Sequence, residues 1–227
     1  SYRVVLDGIA KDAYAALNPA HTVAYSLSTP MLRLGVVSSK KAAMKRVIEL
    51  LELVELRPVG QYLNKYPHQL SGGQRQRILL ARAISLGPKV IVADEPVSMI
   101  DVSLRISALN LMRKLNRELN ISFVYITHDL GTARYIGREG RILVLYLGTI
   151  VETGSLPDVI GNPRHPYLQA LLSCVPVPDP EISRHRKKIH LTSVEMPSIV
   201  NPPPGCRFHT RCPFVQERCK REEPMLR

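Results

Sequence analysis

The sequence predicts an α/β protein built on a mostly parallel sheet. Two short apolar runs, residues 90–93 and 123–126, stand on either side of an amphipathic stretch with helical periodicity. Continuous apolar runs of this length, with β-branched residues, read as strands buried on both faces of a parallel sheet. A helix between two such strands is the crossover that a parallel pair requires.

The elements follow in order. Residues 1–37 read as short strands and loops, broken at Asn18-Pro19 and Thr29-Pro30. Ser38 opens a helix with Met44, Val47, Ile48, Leu51 and Val54 at helical spacing, and Pro58-Val59-Gly60 stops it. Ser71 is a good N-cap for a second helix, which carries Ile78, Leu79, Ala81, Ala83 and Ile84 up to Gly87-Pro88. Residues 103–119 form the crossover helix, with Leu104, Ala108, Leu111, Met112 and Leu115 on one stripe. A short helix follows His128, and residues 141–146 and 149–152 form strands around Leu147-Gly148. Beyond Val175, prolines at 176, 178, 180, 197 and 202–204 favour an extended arm over a further helical layer.

Composition narrows the function. With 227 residues the chain holds one large domain and an appendage. No apolar stretch approaches the roughly 20 residues of a membrane-spanning helix. Asp7, Lys11 and Asp12 interrupt the apolar start, against a signal peptide. A net charge of +12 admits anionic partners, yet no block of five like charges occurs. With no Trp and three Phe, there is little to stack on bases, so nucleic acid is not expected.

Four motifs carry chemistry. Ser71-Gly72-Gly73, followed by Gln74-Arg75-Gln76-Arg77, opens a helix whose unpaired amides and dipole attract phosphate. An ordinary cap is the plain alternative. Asp94-Glu95 ends a strand, where ligands bind in open α/β sheets. Adjacent carboxylates point different ways and can divide labour, one on a cation and one on a water. Asp101 stands before the crossover helix, either as an exposed N-cap or as a site residue. His128, after the second strand, can donate to a phosphate.

These motifs, in this order, resemble the ATP-hydrolysing subunit of ABC (ATP-binding cassette) transporters. The resemblance implies an ABC-type ATPase domain with a helical subdomain at about residues 20–87, spanning residues 1–154. It implies ATP and Mg²⁺ as cofactors, with Mg²⁺ on Asp94. Glu95 would activate water and His128 hold it in line. Ser71, Gly72, Gly73 and Gln74 would meet the γ-phosphate bound to an opposite subunit, and Asp101 would link the two sites. Lys11 stands where relatives carry a glutamine that reaches Mg²⁺, and a lysine ammonium offers no acceptor. No G-x-x-x-x-G-K-[ST] cradle occurs. The domain is therefore expected to be N-terminally incomplete and inactive alone. A non-catalytic or truncated partner subunit, or a nucleic-acid-linked ATPase of the same superfamily, is the rival reading; the latter lacks the expected coiled-coil insertions.

The tail, residues 155–227, resembles the extension of oligopeptide and dipeptide importers through Asn162-Pro163-Arg164-His165-Pro166-Tyr167 and Ala170-Leu171-Leu172. That implies a second ATPase subunit in a homo- or heterodimer, two membrane permeases and, indirectly, an external binding protein. The place implied is the cytoplasmic face of the membrane, peripherally. Cys206, Cys212 and Cys219 stand in C-x₅-C-x₆-C spacing. The resemblance favours a [4Fe–4S] cluster, which needs four thiolates. Zinc through these cysteines and His209 competes with it, as do unligated thiols. Cys174, in an apolar helix, reads as core.

Overall fold

Helix α1 (Val23–Arg33) begins where the Thr22 hydroxyl accepts from the Tyr25 amide at 3.3 Å. The computed structural model describes residues 16–98, 100–175, 181 and 189–226. The chain divides into two units, one ending at Thr132 and the other starting at Ala133. In α1 the sequence expectation of strands and loops fails, because the helix runs through Pro30. Proline inside a helix costs about 3 kcal/mol. Leu27 and Met31, both fully buried, offset it at about 1.5–3 kcal/mol each. The next turn closes from the Leu34 amide to the Pro30 carbonyl at 3.0 Å.

Helix α2 (Lys40–Leu53) is capped by Ser39, one residue later than expected. It buries Ala43, Val47, Leu50 and Leu51, while Met44 and Ile48 of the expected stripe are 39% and 38% exposed. The buried row is turned toward α1 and toward α4 (Gly72–Ser85), which both pack on it. A short helix α3 (Gly60–Leu63) and a 3₁₀ turn at Pro67–Gln69 lead into α4. Gly87, at φ +65°, supplies the left-handed residue beyond the end of α4.

Strand β1 (Val90–Asp94) pairs in parallel with β2 (Ser122–Ile126), from Val90 opposite Ser122 to Asp94 opposite Ile126. Helix α5 (Val102–Leu119) is the crossover between them. The expected two-faced burial does not hold. Ile91 and Ala93 are buried, but Val124 and Ile126 remain 49% and 47% exposed. Likewise α5 buries Leu109, Leu111, Met112 and Leu115, whereas Leu104 is exposed.

Helix α6 (Leu130–Ile136) crosses the division. In the second unit β3 (Arg141–Tyr146) and β4 (Thr149–Ser155) form an antiparallel hairpin. Its two turn residues, Leu147 and Gly148, both have positive φ, as a twist-matched tight turn demands. Helices α7 (Leu156–Gly161) and α8 (Pro166–Cys174) follow. Val144, Val159 and Leu168 form the local core. Phe208, fully buried, sits against Tyr146, His165 and Tyr167 with ring centroids 5.1–5.6 Å away, and so anchors the cysteine loop. The prolines at 176, 178 and 180 lie outside the described residues, as does Lys11. Among the described residues no helix is long and apolar enough to cross a membrane.

Candidate active site

The ends of β1 and β2 deliver Glu95 and His128 to the same place. The Glu95 amide donates to the Ile126 carbonyl at 2.9 Å, carrying the parallel ladder one residue past β1. Glu95 then turns to φ +49°, a left-handed conformation that costs of order 1–3 kcal/mol and concentrates at functional sites. Its Oε1 touches the His128 ring at Nδ1 and accepts from the His128 amide at 3.3 Å. The carboxylate is 13% exposed and the imidazole 80%, so the ring caps an otherwise sheltered acid. Asp94, by contrast, is exposed at the strand end. The two carboxylates therefore occupy different surroundings. One open carboxylate, together with water and phosphate oxygens, is a donor set that Mg²⁺ accepts.

Ser71 is exposed at the start of α4. Its hydroxyl accepts from the Gln74 amide at 3.3 Å, and the Gln74 side-chain oxygen accepts from the Ser71 amide at 3.1 Å. This reciprocal box satisfies two end groups at once. At Gly73 a Cβ would come within 3.3 Å of Leu104, so glycine lets α4 approach the first turn of α5. Arg75 and Arg77 turn inward. The Arg75 Nε donates to the Pro67 carbonyl at 2.7 Å, and Arg77 reaches the Val54 carbonyl, Glu55 and Ser107 at 2.6–2.9 Å. The helix start is thus locked from behind while its serine edge stays open. Asp101 occupies the N-cap of α5, but its side chain makes no capping bond.

Beside Glu95 and His128 lies a cleft of about 120 Å³, lined also by Ser98, Arg105, Tyr125 and Asp129. The sequence places Ser98 and Asp129 in the motifs Ser98-Met99-Ile100-Asp101 and Thr127-His128-Asp129 but gives none of these four a role. Asp129 accepts from the Gly131 and Thr132 amides at 2.8 and 3.3 Å, a cap pattern visible in the Thr127-His128-Asp129 sequence. Arg105 stands 3.9 Å from Asp129. Burial pushes the Tyr125 phenol above its ordinary range, a tertiary effect with no sequence signal.

The cysteine loop is closed by the Cys206 amide, which donates to the Cys219 carbonyl at 2.8 Å. Gly205 makes this possible, having φ +66° and space for its Cβ only 2.5 Å from that carbonyl. Burial pushes the Cys206 and Cys212 thiols up. Among the described residues no group of three or more His, Cys, Asp or Glu side chains could hold a metal ion. Cys206 and Cys212 stand close enough to Cys219 for its charge to raise them further, and His209 sets its Nδ1 against the Cys206 carbonyl at 2.9 Å. Cys174 is exposed, contrary to the expectation of a core position.

Sequence comparison agrees with this architecture. The ABC transporter family model matches residues 8–98, and the model for the C-terminal region of oligopeptide/dipeptide transporters matches residues 151–219. The oligopeptide transport ATP-binding protein OppF of Salmonella typhimurium is 44% identical over 218 residues, which are 96% of this chain and 64% of that protein. A putative peptide import ATP-binding protein of Brucella ovis is 42% identical over 96% of this chain and 67% of its own length. The dimeric post-hydrolysis structure of the ATP-binding cassette MJ0796, bound to ADP and Pi, superposes with TM-score 0.57 at 30% identity, covering 68% of this chain and 64% of that one. The fold and these matches define an ATP-binding cassette protein. The chain belongs to the family of ABC transporter ATP-binding proteins, in its oligopeptide/dipeptide branch. It spans just under two thirds of the length of the Salmonella relative.

Proposed function

We propose that this protein is the ATP-hydrolysing subunit that energises uptake of oligopeptides or dipeptides through a membrane transporter, and that residues 1–227, which contain no G-x-x-x-x-G-K-[ST] cradle, do not turn ATP over by themselves. The observation that carries the reading is the contact of Glu95 with His128 at the ends of two paired strands. A sheltered carboxylate can take a proton from an attacking water, and an exposed imidazole can donate to the γ-phosphate and keep that water in line. Asp94 would hold Mg²⁺, which supplies charge neutralisation on the phosphates when bound. The open Ser71–Gly73 edge, with Gln74, would serve a nucleotide held by a second ATPase subunit, and Asp101 would couple the two sites. The dimeric form of the MJ0796 cassette supports that arrangement. Lys11, in place of a glutamine, would pair with a phosphate and would not ligate Mg²⁺. Two permease subunits would carry the motion across the membrane, with this protein peripheral on the cytoplasmic side. On the family pattern the cassette spans residues 1–154 and the extension residues 155–227.

The test is uptake of a radiolabelled dipeptide by cells that depend on this protein. Glu95→Gln and His128→Ala should each lower uptake about 10²–10⁴-fold, as loss of a general acid or base does, with cellular abundance unchanged. Uptake at the wild-type rate in Glu95→Gln would remove the hydrolytic reading.

A further inference from the structure

Strand β4 has a partner on one side only. Among the described residues it pairs with β3, and no strand lies along its outer edge. A groove of about 840 Å³ runs there, lined by all seven residues of β4 in unbroken succession, Thr149–Ser155. Successive strand residues face opposite sides of a sheet, and β4 keeps that alternation on either side of a bulge at Val151, where Val144 pairs with Glu152 and Leu145 with Ile150. A groove that touches every one of them follows the strand's edge, where unpaired amides and carbonyls are presented. Helix α7 walls one side, and Glu223, Pro224 and Met225 help close the other. The volume falls in the range of small-ligand sites.

The two ends of this edge carry opposite charge. Arg207 donates to the Leu147 carbonyl in the hairpin turn, which places its guanidinium at the amino end of β4. Asp158 accepts from the Ser155 hydroxyl at 2.5 Å, which places its carboxylate at the carboxyl end. At about 3.3 Å per residue the edge is on the order of 20 Å long, the span of a six- or seven-residue extended chain.

We propose that this groove binds a short, free, extended peptide, which adds as a strand antiparallel to β4. In that direction the peptide's carboxylate meets Arg207 and its ammonium meets Asp158. Main-chain hydrogen bonds supply affinity without regard to side chains, so the site suits peptides of mixed sequence. It is separate from the Glu95–His128 site and does not depend on the transport reading above. A peptide importer would nonetheless place such ligands within reach.

The experiment titrates the 227-residue chain with the hexapeptide Ala-Val-Thr-Val-Ser-Ala, following heat and amide hydrogen exchange. Saturable one-to-one binding is expected, with alternate amides slowed within Glu152–Ser155, beyond the bulge at Val151. Backbone N-methylation of the peptide at alternate residues removes either its outward or its inward donors. One methylation phase should weaken binding about tenfold or more, and the other should leave it within about twofold. Acetylating the peptide's amine should weaken binding to wild type about threefold and leave Asp158→Asn unaffected. Absence of saturable binding, equal effects of the two methylation phases, or protection without alternation would overturn the proposal. So would self-association through β4 that the peptide fails to reverse.

Discussion

His165 shows what one side chain can be asked to do. It caps α8, and its Nδ1 accepts from the Tyr167 amide at 3.1 Å, which requires an unprotonated nitrogen. Burial pushes its pKa below the ordinary 6.5, against the opposing pull of Glu152. Above about pH 6.5 the ring is neutral in folded and unfolded chains alike, and its contribution is complete. As pH falls below that value the unfolded chain takes up a proton that the folded chain resists, so stability declines until the folded ring titrates too. Urea unfolding followed from pH 8 to pH 5 should show this loss, with a slope no steeper than about 1.4 kcal/mol per pH unit for one proton. His165→Asn keeps a capping side chain and should flatten the profile. An unchanged slope in that variant would assign the loss to another group.

At the scale of elements, α4 is both a packing helix and the support of the serine edge. Its capping box fixes the first turn, while Arg75 and Arg77 tie the same turn to neighbouring backbone. Ser71→Ala should cost about 1 kcal/mol in chemical unfolding, the usual worth of an N-cap. Ser71→Asn should restore most of it. If the alanine variant lost several kilocalories, the serine would be part of the core and not an open edge. The cap, the helix and its end at Gly87 are all legible in the sequence, because each depends on residues a few positions apart. The course of α1 through Pro30 is not. Its cost is local, whereas the burial of Leu27 and Met31 that offsets it comes from α2 and α4.

At the scale of the whole molecule, the sheet faces of the first unit differ in a way that unfolding can measure. Ile91 is almost wholly buried, whereas Val124 on the neighbouring strand is half exposed. Ile91→Ala should cost about 2–5 kcal/mol, as a core truncation does. Val124→Lys should cost less than about 1 kcal/mol, as changes at exposed positions do. Similar losses for both would mean that the second face is covered in solution. Both strands are β-rich apolar runs, so their composition cannot tell which face is covered.

The sequence by itself determined the local grammar: the cap at Ser71, the hairpin turn at Leu147-Gly148, and the two strands with α5 between them. It also named Asp94, Glu95 and His128, since strand ends in α/β order are where such residues gather. Only the tertiary structure decided that Glu95 and His128 touch, that Met44 and Leu104 face outward, and that the cysteines close a loop around an anchored Phe208. Those outcomes depend on contacts between residues far apart in the chain. Burial, which sets both packing and the titration of His165 and Tyr125, comes into being only when the chain has folded.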